Sequence, residues 1–262
     1  MTDIRRPFHL LLPMAALLIG LPAPSAMAQT IEIQPANTQL WLQYERRQGL
    51  SPNWSFFVNG GYRELWDAPL TNEEWSRWHL RSAFSYQQNS RLNFDLGSGL
   101  FYTDSPLTSN RTEFRTWLGA TVYWPDSPGY YRRFVLTHRF RLEQRFFSDS
   151  GSSSWSFASR ARYRLSTAVA LNRKEVEPGA FYTYLSAEFF ATFDQEQEKL
   201  FTDRNRFSAG LGYVTPSKWT LELRFTRQEI KDTVTGDYQF TDKIVEFRVK
   251  TYVRIRDLMK KH

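Results

Sequence analysis

The sequence predicts an all-β protein, an antiparallel up-and-down transmembrane β-barrel of about twelve strands, with a range of about 10–12. Three observations predict it. From Thr38 onward apolar and polar residues alternate with a period of two, and no window of useful length shows a helical stripe. Short connections between the alternating segments interleave with longer polar ones, the asymmetry of an outer-membrane barrel. The charge is carried on one face, and mostly as Arg: 26 of the 34 basic residues are Arg, within a net charge of +7.

The N-terminus comes first. Arg5 and Arg6 precede the apolar run from Leu10 to Leu21, and Ala26-Met27-Ala28 closes it. This order of basic, apolar and small residues predicts a cleaved signal peptide over 1–28, with an N-terminal segment over 29–37, the barrel over 38–256 and a short tail over 257–262. Removing the leader takes away Arg5, Arg6 and Asp3 and leaves a basic chain. The total absence of Cys excludes a disulfide scaffold, a thiolate metal site and a cysteine nucleophile.

Eleven segments then alternate, near 38–47, 53–65, 74–87, 90–103, 110–124, 132–147, 154–170, 180–193, 203–215, 218–230 and 239–255. Side chains two apart share a face of a strand, so each segment sorts into two lists. In 132–147, Phe134, Leu136, Phe140, Leu142 and Phe146 stand opposite Arg133, Arg139, Arg141, Glu143 and Arg145. In 74–87, Trp78, Leu80, Phe84 and Tyr86 oppose Arg77, His79 and Arg81. In 110–124, Phe114, Leu118, Val122 and Trp124 oppose Arg111, Glu113 and Arg115, and in 154–170 Tyr163 and Leu165 oppose Arg160, Arg162 and Arg164. Eleven segments conflict with an even-numbered barrel, and Ile31-Glu32-Ile33 is the candidate for a twelfth strand.

Two architectures share this alternation. A secreted soluble β-protein turns the apolar face to a core, whereas a membrane barrel turns it to lipid and lines its lumen with the Arg face. Aromatics at both ends of the apolar faces, as in Trp54/Tyr62 and Trp78/Tyr86, favour the membrane because interfacial girdles sit there. Eight to ten residues at ~3.3 Å, tilted ~40°, rise roughly 20–25 Å, which matches the ~25 Å apolar band.

Short strings add a family. His138-Arg-Phe-Arg-Leu-Glu-Gln-Arg-Phe146, Arg160-Ala-Arg-Tyr-Arg-Leu165, Tyr184-Leu-Ser-Ala-Glu-Phe-Phe190 and Arg204-Asn-Arg-Phe-Ser-Ala-Gly-Leu-Gly-Tyr213 resemble the bacterial outer-membrane family called domain of unknown function 2490. The resemblance implies an outer-membrane barrel over nearly all of the chain after the leader, and no established activity. The chain departs from barrel habit at its end, where Tyr252-Val-Arg-Ile-Arg256 is followed by Asp257 to His262 rather than by a terminal aromatic.

The parity of each strand gives twenty inward basic residues against seven acidic ones. The expected lumen-lining set is Arg77, His79, Arg81, Arg111, Glu113, Arg115, Arg139, Arg141, Glu143, Arg145, Arg160, Arg162, Arg164, Glu188, Arg204, Arg206, Glu222, Arg224, Glu246 and Arg248. Arg47, Arg63, Arg91, Arg133, Lys250, Arg254, Glu45 and Asp95 share that face. One reading of such a face is a lattice of salt bridges in a closed structural or ligand-holding barrel, with Arg forks serving two carboxylates at once. One-to-one pairing leaves about thirteen cations over, which leads to the other reading, a narrow anion-preferring pore. Inward Trp41, Phe57, Trp117, Tyr182, Tyr184 and Phe190 narrow the bore in either case.

The sequence argues against an enzyme. His79 is the one inward His of the barrel and no Ser and Asp are supplied to it, so an outer-membrane hydrolase is the weakest reading. No cofactor or metal motif appears. The expected location is the outer membrane of a Gram-negative bacterium. The expected partners are outer-membrane lipid and lipopolysaccharide and small anionic solutes, with no nucleic acid and with protein partners unassigned.

Overall fold

The computed structural model describes residues 36–69, 74–124, 134–193, 204–232 and 236–254, all within the unit Pro35–His262. The expected leader, the Ile31–Ile33 segment, Arg133 and the 257–262 tail lie outside the described residues.

Alternation produces strands wherever it was read. They are β1 (Asn37–Gly49), β2 (Trp54–Asp67), β3 (Ser76–Gln87), β4 (Leu92–Asp104), β5 (Arg111–Trp124), β6 (Phe134–Asp149), β7 (Ser156–Ala170), β8 (Phe181–Thr192), β9 (Arg204–Val214), β10 (Trp219–Lys231) and β11 (Tyr238–Arg254). Each strand from β2 to β11 pairs antiparallel with its predecessor, and the sheet closes into a barrel. The strand ends fall within about two residues of the alternating segments.

The expectation of about twelve strands is corrected to eleven among the described residues. Hairpins reverse the chain at every connection, so an odd count leaves the first and last strands running the same way. Closure therefore requires a parallel ladder, and β1 pairs with β11 in unbroken register from Asn37↔Asp242 to Gly49↔Arg254. Parallel pairing is slightly weaker per residue. Side chains reinforce this seam: Gln39 Nε2 donates to Asp242 Oδ1 at 2.7 Å and Gln43 Nε2 to Glu246 Oε1 at 2.5 Å.

The two faces differ as the alternation requires. Leu80, Leu96, Leu118, Leu142 and Leu211, all near mid-strand, point outward with 59–63% of their surface exposed. Aromatic pairs flank them across β2 and β3: Trp54 meets Tyr86 with ring centroids 5.0 Å apart at the short-turn end, and Tyr62 meets Trp78 at 4.5 Å nearer the long loops. The buried residues, by contrast, are rich in Asn, Gln, Glu and Arg.

Large inward rings fit because glycine faces them. Trp117 lies opposite Gly97, and a Cβ at Gly97 would stand 2.3 Å from its ring. Tyr182 lies opposite Gly212 in the same way, at 2.2 Å. The ring fills the place of the missing side chain and adds to the sheet wall.

Candidate functional site

The buried face assembles its charges around shared carboxylates. On β5 and β6, Glu113 accepts from Arg115 Nε and Nη2 at 2.8 and 2.6 Å and from Arg145 Nε and Nη2 at 2.8 and 3.1 Å. Glu143, whose side chain is fully buried, holds four arginines. Arg115 and Arg162 approach at 3.4 Å, Arg141 at 3.8 Å, and Arg160 donates both Nε and Nη2 to Glu143 Oε2. Glu188 takes Arg162 at 2.5 Å, Arg164 at 2.7 Å and Arg206 at 3.9 Å. Asp95 accepts from Trp117 Nε1 at 2.7 Å and from Arg141 at 3.1 Å, with Arg139 at 3.8 Å.

A second group lies on β8, β10 and β11. Glu222 meets Tyr182 Oη at 2.5 Å, Arg224 at 2.6 Å and Lys250 at 2.7 Å. Glu246 meets Arg248 at 2.9 Å and Arg224 at 4.0 Å. Single guanidiniums thus bridge pairs of carboxylates, Arg115 between Glu113 and Glu143 and Arg162 between Glu143 and Glu188. The planar fork makes this possible where a Lys point charge would not.

Sharing changes the charge account. The one-to-one estimate of about thirteen unmatched cations is too high, because each of Glu113, Asp95, Glu143, Glu188, Glu222 and Glu246 serves at least two. Among the described residues of the expected set, Arg77, Arg81 and Arg204 have no carboxylate within ion-pair distance, and Arg63 joins them. Arg77 Nε donates to Thr103 Oγ1 at 2.7 Å, and Arg63 lies on the Trp41 ring at 3.9 Å. Arg111 pairs with Asp149 at 2.5 Å at the loop-end rim.

His79 has a neutral hydrogen-bond partner. Asn59 Oδ1 can only accept, so the 3.0 Å contact puts the proton on His79 Nε2. Arg81 Nε donates to the same oxygen at 2.9 Å, and the imidazole stacks on Phe101 at 5.5 Å. Parity reasoning on charges missed three neutral parts of this network, Asn59, Gln43 and Gln228, and the acid Asp242, which accepts from Gln39 and Gln228. Their signal was available, since Asp242 shares its face with Glu246 and Arg248. Arg91 is a correction: it sits exposed in the turn before β4, off the strand whose parity assigned it inward.

Among the described residues, two cavities lie within the barrel on either side of the lattice. One of about 260 Å³ opens among Arg47, Phe57, Tyr123 and Thr137 at the short-turn end and includes Glu45 and Asp95 in its wall. The other, about 190 Å³, lies toward the long loops and is lined by Trp41, Trp75, Phe101, Phe190 and nine arginines, with no Asp or Glu among the described residues. Arg81 is the one residue common to both linings. On the outer wall an apolar groove of about 730 Å³ runs between Leu165, Leu185, Phe207, Phe225 and Val245, with Arg227 and Lys243 in register beside it.

These features define a closed β-barrel with an apolar exterior and a buried, Arg-dominated ionic interior. The chain belongs to the family described as Protein of unknown function (DUF2490), which matches residues 38–239, nearly the whole barrel. Neither a curated protein nor a solved structure matches it.

Proposed function

We propose that the chain is an outer-membrane β-barrel of a Gram-negative bacterium whose interior takes up small anions and forms a narrow anion-preferring path interrupted at Arg81. The observation that carries the membrane reading is the inversion of the two faces. Leucines and aromatics stand exposed around the whole wall while Glu143 and Arg145 are buried. Water-soluble monomers rarely leave contiguous apolar patches beyond a few hundred Å². The leader read from residues 1–28 agrees with export.

The anion preference rests on the surplus of guanidiniums over carboxylates, since rings of Arg favour anions. Because the two cavities share only Arg81, and its partners Asn59 and Gln43 are neutral, that side chain is the constriction. His79 braces Asn59 and has no catalytic part in this scheme. The outer groove beside Arg227 and Lys243 suits an acyl chain below an anionic headgroup, the chemistry of lipopolysaccharide.

Planar-bilayer recording of the refolded protein tests the path. The wild type conducts weakly with anion preference, and Arg81→Ala raises conductance several-fold. Silence from both proteins, or cation preference, refutes it. Outer-membrane fractionation with heat-modifiability on detergent gels tests the location, and recovery as a soluble periplasmic protein refutes that part.

A further inference from the structure

The loop-end cavity differs from its neighbour in a way that an anion path alone does not require. Nine arginines line it and, among the described residues, no carboxylate does, whereas the short-turn cavity has Glu45 and Asp95 in its wall. Five of the nine (Arg115, Arg145, Arg160, Arg162 and Arg206) lean on Glu113, Glu143 or Glu188 outside the lining. Arg63, Arg77, Arg81 and Arg204 do not, and the Nε–H groups of Arg63 and Arg204 are buried with no acceptor among the described residues. Arg141, Arg224 and Arg248 on the short-turn cavity also carry an unpartnered Nε–H, but each is paired with a carboxylate through its other nitrogens, whereas Arg63 and Arg204 are not. Buried donors are nearly always satisfied, so these two point to an acceptor that the described residues do not supply.

The neighbouring amide oxygens are already engaged by other donors and neither reaches Arg63 Nε or Arg204 Nε. Gln228 Oε1 takes Arg206 Nε at 2.7 Å, and Gln39 Oε1 takes Trp41 Nε1 at 2.9 Å. Aromatic faces also hold the forks in place: Arg63 lies 3.9 Å from the Trp41 centroid, and Arg206 lies 5.1 Å from Trp41 and 5.0 Å from Phe190. Stacked guanidiniums keep their planes while their edges remain free to donate.

We infer that this cavity is a binding site for a phosphate or sulfate dianion, gripped by Arg63 and Arg204 with help from Arg77 and Arg206. A tetrahedral oxyanion offers separate oxygens to several forks, and Arg matches it in bidentate fashion, whereas chloride presents a single centre. Size agrees. About 190 Å³ is well under the roughly 300 Å³ at which drug-sized pockets begin, and at roughly 30 Å³ per water it holds a small hydrated ion and excludes a nucleotide.

The inference deepens the anion-accepting interior proposed above, but it is tested at equilibrium in detergent, so binding and conduction fail separately. Inorganic phosphate or sulfate is titrated into the refolded full barrel and thermal unfolding is followed against sodium chloride of equal ionic strength. Phosphate raises the melting temperature beyond the chloride control. The Arg63→Gln/Arg204→Gln double variant melts no lower than wild type without phosphate, since it sheds two half-buried charges that have no carboxylate partner, yet its phosphate affinity falls at least tenfold. An equal response to chloride, or unchanged phosphate affinity in the double variant, overturns the site. On the wild type itself, phosphate shifts arginine Nε–H resonances in nitrogen-15 spectra where chloride does not, and spectra indifferent to phosphate overturn it equally.

Discussion

Glu143→Gln removes one negative charge from the centre of four arginines and leaves the side-chain volume almost unchanged. At 3.4 Å and an effective dielectric of about 20, each of Arg115 and Arg162 attracts the carboxylate with about 5 kcal/mol gross. Desolvation offsets most of that. What survives is the cost of stranding buried charge, about 3–5 kcal/mol when one partner of a buried pair is deleted. The glutamine amide makes matters worse by turning donors toward donors. Arg162→Gln is the informative control, because Glu143 keeps Arg115, Arg141 and Arg160 and Glu188 keeps Arg164 and Arg206. No carboxylate is stranded, and the expected cost is about 1 kcal/mol or less. Urea unfolding of the refolded barrel, read by tryptophan fluorescence with the slope held as a check, measures both. Equal losses for the two variants, or a Glu143→Gln loss below about 1 kcal/mol, refute the claim that carboxylates are the scarce partner in this interior.

Two further outcomes follow from packing and from the membrane reading. Gly61→Ala places a Cβ 2.3 Å from His79 Cε1 and 2.9 Å from the Leu42 carbonyl oxygen, so the His79–Asn59 bond is lost and stability falls by about 1–3 kcal/mol. At the adjacent Gly60, where the nearest atom is 4.0 Å away, the same change stays within about 0.5 kcal/mol in the same unfolding assay. Leu118→Arg, on the outward face beside Leu96, costs about 2–4 kcal/mol for a barrel folded in lipid vesicles. Folding yields unaffected by that substitution, together with recovery in the soluble fraction, would count against a lipid-facing wall.

The strands were legible because alternation is local. Arg139, Arg141, Glu143 and Arg145 on β6 share a face whatever lies across the barrel, and pleat geometry alone puts Phe140 and Leu142 on the other. Arg91 shows where this reasoning ends, since parity holds only inside a strand and the residue belongs to a turn. The strand count failed for a related reason. The hairpins fix the order and direction of neighbours, but whether β1 accepts a parallel partner depends on how thirteen residues of each strand match across the seam.

Charge by itself fixed the sign of the interior but not the fate of any one arginine. Arg206 on β9 reaches Trp41 on β1, and Arg162 on β7 joins Glu143 on β6 to Glu188 on β8. These meetings depend on stagger between strands and on curvature of the wall, neither of which is written in a period of two. The sequence determined two chemically opposite faces, because side-chain direction in a strand is set residue by residue. Only the closed tertiary structure decided which guanidiniums share the few carboxylates and which, like Arg63 and Arg204, are left without one, because that is settled across the bore between strands distant in the chain.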